Sequence, residues 1–208
     1  LGRADIHFAL GLYEMARADI QRASDTIKEI GTTMASGQLL SRSSSLKVRM
    51  GLEDASTGAM LEAALAAATA ATNHHHRREV LCALCEFHFA SRLFNSVHQS
   101  ARELIAFARA EQHHGGYAQG LLWLGKAQVA LGQLAEGLTS VHDAHAFAEA
   151  NGYHRVRLDT HRALQHAYAA HSDTSTSEFH RGAADALVAE IAKNLKGQPH
   201  LLTGLHTL

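Results

Sequence analysis

Small and apolar residues recur along this chain at helical spacing, and the helices they predict recur in turn. Over residues 134–150, Leu138, Val141, Ala144, Phe147 and Ala148 fall on one stripe of a 3.6-residue period. Over residues 117–131, Leu121, Leu124 and Gln128 share another. The turn between these stretches is centred on Gly132, and equivalent turns fall at Gly11, Gly51, Arg92 and Ser172. Their intervals along the chain are 40, 41, 40 and 40 residues. Each turn is preceded by one helical stretch and followed by another. Asn151-Gly152 closes the second stretch of the fourth repeat, as a left-handed glycine after a helix does.

The second helices agree in detail. Phe107-Ala108-Arg109-Ala110 matches Phe147-Ala148-Glu149-Ala150. Five residues after the turn stand Ala16, Ser56, Val97, Gly137 and Ser177, mostly small, which lets helices approach closely. Seven residues further on stand Ala23, Ala63, Leu104, Ala144 and Ala184. Ser175-Thr176-Ser177-Glu178 has the form of a capping box that starts a helix. The serine-rich run Ser41 to Ser45 is predicted helical despite the modest propensity of serine. Self-similarity at this period is the mark of a stacked helical array.

Composition narrows the picture. With 46 % hydrophobic residues in 208, a sizeable core is affordable, and 19 Lys+Arg against 20 Asp+Glu exclude a strongly basic nucleic-acid binder or a polybasic membrane binder. Pro199 is the single proline, so little interrupts helix before the C-terminus. Cys82 and Cys85 do not make a disulfide framework, and no run of eighteen apolar residues exists. A cytoplasmic protein is expected. The chain starts at Leu1 without a methionine and its first repeat lacks most of its first helix, which suggests a piece of a longer protein.

Leu124-Gly125, Gly132, Gly137 and Ala144 stand in the spacing of the tetratricopeptide repeat, and the chain resembles that family over nearly its whole length. The family's helix-closing proline is replaced by Asn151-Gly152 and by Gly31. A period near forty rather than the family's roughly thirty-four implies longer helices. The variety it resembles closes large bacterial regulators that carry an ATPase, kinase or cyclase module upstream. The fold this implies is all-α, a right-handed α-α superhelix of about five helix pairs. Residues 1–196 would form the repeat domain and 197–208 a C-terminal cap or tail.

Candidate chemistry is sparse. Cys82 and Cys85 lie three apart on a predicted helix with His88 close behind, and thiolate with imidazole is a zinc-ligand chemistry. Against that, Cys85 matches Gly125 in the repeat, where a free cysteine serves as a small hydrophobe. Seventeen histidines are many; His74 to His76 are predicted in a loop joining repeats, and His113-His114 before a helix-ending Gly115-Gly116 turn. Imidazoles titrate near neutrality, so a pH-sensing role is one reading and simple solvation the plainer one. His142, Asp143 and His145 are expected on a solvated outer face. No phosphate loop or nucleophile elbow is present, so neither an enzyme nor a cofactor is expected.

The resemblance places the first helix of each pair on the concave side. The groove residues counted from the turns are Gln38, Ser41, Ser45 and Val48 in the second repeat and Glu79, Cys82, Glu86 and Phe89 in the third. In the fourth they are Gln119, Leu122, Lys126 and Val129, and in the fifth Asp159, Arg162, His166 and Ala169. Mixed charge with an aromatic suits an extended peptide or a partner helix. The single tryptophan, Trp123, is expected to pack. The expected function is a protein–protein interaction scaffold or sensor arm of a multidomain signalling protein. A small-ligand or peptide receptor inside the superhelix is the alternative.

Overall fold

The computed structural model describes residues 3–4, 7, 12–30, 36–52 and 55–194. Among them are nine helices and no strand: α1 (Tyr13–Ile30), α2 (Ser36–Arg49), α3 (Ala55–Ala70), α4 (His74–Ala90), α5 (Phe94–Ala110), α6 (His114–Ala130), α7 (Leu134–Ala150), α8 (His154–Ala170) and α9 (Thr174–Asn194). Gly11 and residues 197–208 lie outside the described set.

The chain counts in twenties. Helices α4 to α8 each have 17 residues. A residue with positive φ stands after α2 and after each helix from α3 to α8: Gly51 (+64°), Thr72 (+49°), Arg92 (+57°), Gln112 (+53°), Gly132 (+82°), Gly152 (+70°) and Ser172 (+62°). The forty-residue spacing caught alternate turns; of the other three, Gly152 was read as a helix end, while Thr72 and Gln112 carry no glycine to mark them. Paired hydrogen bonds explain how the others persist. The Gln112 N–H donates to the Arg109 carbonyl at 3.2 Å and the His113 N–H to the Ala108 carbonyl at 2.8 Å. The same two bonds recur behind Gly51, Thr72, Gly132, Gly152 and Ser172. This is the Schellman closure, which satisfies the last helical carbonyls whether or not the left-handed residue is glycine.

Side-chain caps mark the starts of α4, α6 and α9, whereas α5, α7 and α8 begin without one. His74 to His76 form the first turn of α4, capped by Asn73, whose side-chain oxygen accepts from the His76 N–H at 3.0 Å. Gly115 and Gly116 are not a turn: they open α6, where His113 Nδ1 accepts from the Gly116 N–H at 2.9 Å. Helix α9 begins at Thr174, earlier than the capping box proposed, because Asp173 accepts from the Thr176 N–H at 3.1 Å.

Two compact units meet in sequence at Ser91 and Arg92. In the first, α1 packs on α2, α2 on α3, α3 on α4, and α2 also reaches α4. Its cores gather Ala16, Ile20 and Leu46, and then Leu61, Ala64, Val80, Ala83 and Leu84. In the second, α5 to α9 pack in order and α6 also reaches α8. Its cores include Leu122, Val141, Ala144 and Leu164, and then Ala118, Ala148 and Val156. Within each unit, packing of each helix on its sequence neighbour is the contact pattern of a helical repeat.

Burial fixes the register. Thr57, Val97, Gly137 and Ser177 are buried forty residues apart, as are Ala64, Leu104, Ala144 and Ala184, and Ala68, Ala108, Ala148 and Val188. The repeat-two positions are therefore Thr57 and Ala64. Ser56 and Ala63, one residue earlier, are exposed. The extra residue of the 41-residue interval thus falls between Gly51 and Thr57, ahead of the packed stripe. Helices α6 and α7 touch through backbone. A Cβ on Gly125 would lie 2.7 Å from the Gly137 carbonyl oxygen, and one on Gly137 2.9 Å from the Gly125 oxygen.

Candidate functional site

The first helices present three sets of equivalent positions. Glu79, Gln119 and Asp159 stand forty residues apart and are all half-buried. Glu86 and Lys126 are half-buried too, and His166, next in register, is exposed. Cys82 and Arg162 are half-buried, but Leu122 between them is only 5 % exposed and belongs to the core with Val141 and Leu164. Leu122 therefore anchors α6 rather than facing a partner. Val129 likewise turns to α7, its Cγ2 lying where a Cβ on Gly137 would go. Phe89 is half-buried and Ala169 exposed; in the second repeat Ser45 and Val48 are half-buried, but Ser41 is buried and does not face a groove.

These side chains are held by neighbours. On α4, Glu79 accepts from Arg42 of α2 at 3.0 and 3.1 Å, and His75 Nε2 lies 3.1 Å away. Burial works against its charge, yet His76 and the Arg42 guanidinium hold Glu79 below the usual carboxylate range. On α6, the Lys126 ammonium sits 4.0 Å from the centre of the Trp123 ring, a cation–π contact that keeps both on one face. On α8, Arg155 donates to Asp159 at 3.1 Å. Since α6 and α8 pack side by side, Lys126, Asp159 and Arg162 belong to one helical layer of the second unit.

The cysteines are poor candidates for reaction. Cys85 is fully buried. Burial, and then Glu86 beside it, push the Cys82 thiol up to about 12. A thiol that stays protonated is neither nucleophile nor ready metal ligand. Among the described residues, no group of three His, Cys, Asp or Glu is placed to hold a metal ion.

Two further clusters emerge; in the second, His145, expected on a solvated outer face with His142 and Asp143, is instead half-buried because it packs on α8. In the first unit, Asp19 on α1 accepts from Arg3 Nε at 2.9 and 3.0 Å, from Arg22 at 2.6 Å, and meets His7 Nδ1 at 2.9 Å. The Arg3 hydrogen bond, with the nearby positive charges, lowers the Asp19 pKa to about 2. Arg3, Asp19 and Arg22 line an open cleft of about 370 Å³ with Ala23 and Thr26.

In the second unit, four histidines from three helices converge. His161 on α8 and His180 on α9 are 8 % and 7 % exposed, with their Nδ1 atoms 3.0 Å apart. His145 on α7 packs edge-on against His161 with ring centres 4.5 Å apart, and its Nδ1 lies 3.0 Å from Thr160 Oγ1. His142, exposed as expected, reaches Tyr168 OH at 3.4 Å, and Tyr168 stacks on His180. Burial lowers the pKa of His145, His161 and His180, that of His161 to about 4. One sequence signal pointed here. Forty residues back, the positions of His161, Tyr168 and His180 hold Leu121, Gln128 and Ser140, so the last hairpin departs from its predecessor at three touching sites.

No described helix is long and apolar enough to cross a membrane. The chain matches no protein-family model and no curated protein.

Proposed function

We propose that this chain is a protein–protein interaction module of tetratricopeptide type, binding a peptide or partner helix along the exposed side of its first helices. One observation carries the reading. The buried stripe of the second helices holds small or apolar residues from repeat to repeat, whereas first-helix positions at equal register, half-buried except for the exposed His166, vary in charge: Glu79, Gln119 and Asp159, or Glu86, Lys126 and His166. A helical scaffold with constant packing and a variable face is how repeat proteins build binding surfaces. Phe89 and Trp123 add aromatic anchors on the same helices. The setting we infer is the sensor or scaffold arm of a bacterial signalling protein, with an ATPase, kinase or cyclase module in the same chain. Cys82 and Cys85, which form no disulfide, suit a reducing cytoplasm.

Charge reversal tests the binding face. Separate variants, Glu86→Lys in the first unit and Lys126→Glu in the second, leave the buried stripe intact, and at least one is expected to lose partner recovery in a pull-down from the native host. Equal recovery by both variants and wild type would count against this face. Trp123, under Lys126, supplies a second readout: its fluorescence is expected to shift when a partner peptide binds.

A further inference from the structure

The histidine cluster of the second unit does nothing for partner binding as proposed above, and the fold does not require it. At the register of His145 the preceding second helix has Ile105, at that of His161 the preceding first helix has Leu121, and at that of His180 the preceding second helix has Ser140. There Ser140 Oγ donates to Gln128 Oε1 at 2.7 Å, a neutral hydrogen bond indifferent to pH. The last hairpin replaces that arrangement with imidazoles.

We propose that His145, His161 and His180 form a proton-operated latch that holds α9 on α8 when these three imidazoles are neutral and loosens it on acidification. The geometry of the His161–His180 contact is the reason. Two Nδ1 atoms 3.0 Å apart bond only when one carries a proton and the other a lone pair. The ring that donates can take an extra proton at Nε2 and keep the bond. A proton on the accepting Nδ1 sets two N–H groups against each other and two like charges side by side. His180 lies stacked on Tyr168 and edge-on to Phe179, whose π-electrons favour a cation; His161 has His145 edge-on and His180 opposite. The second proton, on His161, is thus the one that breaks the contact.

The surroundings do little to neutralise added charge. From α7 the cluster meets His142, His145 and Glu149; from α8, Arg157 and Tyr168; from α9, its own His180. Arg157 opposes protonation of His145 and His161. Glu149 favours it at His145, 4.0 Å away, but also accepts from Arg157 at 3.2 Å. Leu121 and Leu122 of α6 belong to the apolar cluster that includes Leu164 and Tyr168.

The direction of the response follows. A histidine whose folded pKa lies below its value in the open chain takes up protons on opening. The latch is therefore fully closed above pH 6.5, the ordinary histidine value, and weakens as pH falls from there toward about 4, where His161 titrates. This separates it from a general acid effect of carboxylates, which acts lower.

The test is hydrogen exchange on the 208-residue chain at about pH 7.5 and about pH 5, with protection expressed relative to the unstructured rate at each pH. Protection of α9 and the facing part of α8 is expected to drop about tenfold or more at the lower pH, while α5 and α6 change little. The variant His161→Leu with His180→Ser, carrying the residues of the preceding hairpin, is expected to lose that difference. If the variant does not fold, the histidine ring resonances of the wild type decide. His161 titrating well below 6.5 supports the latch. Titration at 6.5 or above, equal α9 protection at both pH values, or a folded variant that keeps the full difference would overturn it.

Discussion

Gln112 sits at φ +53° in the turn between α5 and α6, exposed, and its conformation is one that L-residues adopt at a cost of about 1–2 kcal/mol. The two closing hydrogen bonds are donated by the backbone N–H groups of Gln112 and His113 and use no side chain, so a glycine at 112 keeps them. Gln112→Gly is therefore expected to raise stability, by about 0.5–1 kcal/mol after the greater unfolded-state entropy of glycine is counted. A denaturant midpoint at or below wild type would contradict this. Leu164 makes the opposite case: it is fully buried between α6, α7 and α8. Leu164→Ala is expected to cost about 2–5 kcal/mol, read from the same denaturant midpoint. Asp19 gives a signed pH effect. Its pKa falls from an ordinary 3.8 to about 2, so its contribution is present above pH 3.8 and lost as pH drops toward 2. An acid titration of Arg3→Ala is expected to show a smaller loss of first-unit stability over that interval, and an identical loss would place the effect elsewhere.

At the scale of helices, the α6–α7 crossing is the clearest test of the repeat. Gly125 and Gly137 face each other so closely that a methyl on either would lie under 3 Å from the other's carbonyl oxygen. Backbone cannot swing aside as a side-chain tip can. Gly137→Ala is expected to destabilise by about 1–3 kcal/mol and to separate the two helices locally, visible as lost amide protection in both. Full protection in the variant would mean that this approach is not needed. This contact was legible in the sequence because small residues at fixed offsets from a turn have few other causes. Helix α7 was legible to its ends, Leu134–Ala150, for the same reason. The turns at Thr72 and Gln112 were not, since their closure rests on backbone bonds that any residue can make. The glycine pair at 115–116 misled because glycine in a first helical turn, with a capping side chain before it, looks in sequence like glycine after a last turn.

For the whole molecule, stability in a stack of this kind is close to a sum of neighbour terms, and each of the two units carries its own cores. The repeat reveals what is periodic and conceals what is not. Glu79, Gln119 and Asp159 could be found by counting forty. The histidine cluster could not, because it joins residues at 142, 145, 161 and 180, whose spacings follow the packing of three helices rather than the period. Neighbour additivity also makes a prediction. Leu61 is fully buried against Val80 and Leu84 in the first unit, so Leu61→Ala leaves a cavity at the α3–α4 interface. Its cost, about 2–5 kcal/mol, is expected to appear as lost amide protection in α3 and α4. Protection in α7 and α8, whose partners are unchanged, is expected to stay within experimental error of wild type. A uniform fall through α8 would show that the chain unfolds as one cooperative block, and with it the premise that each helix answers only to its neighbours would fail.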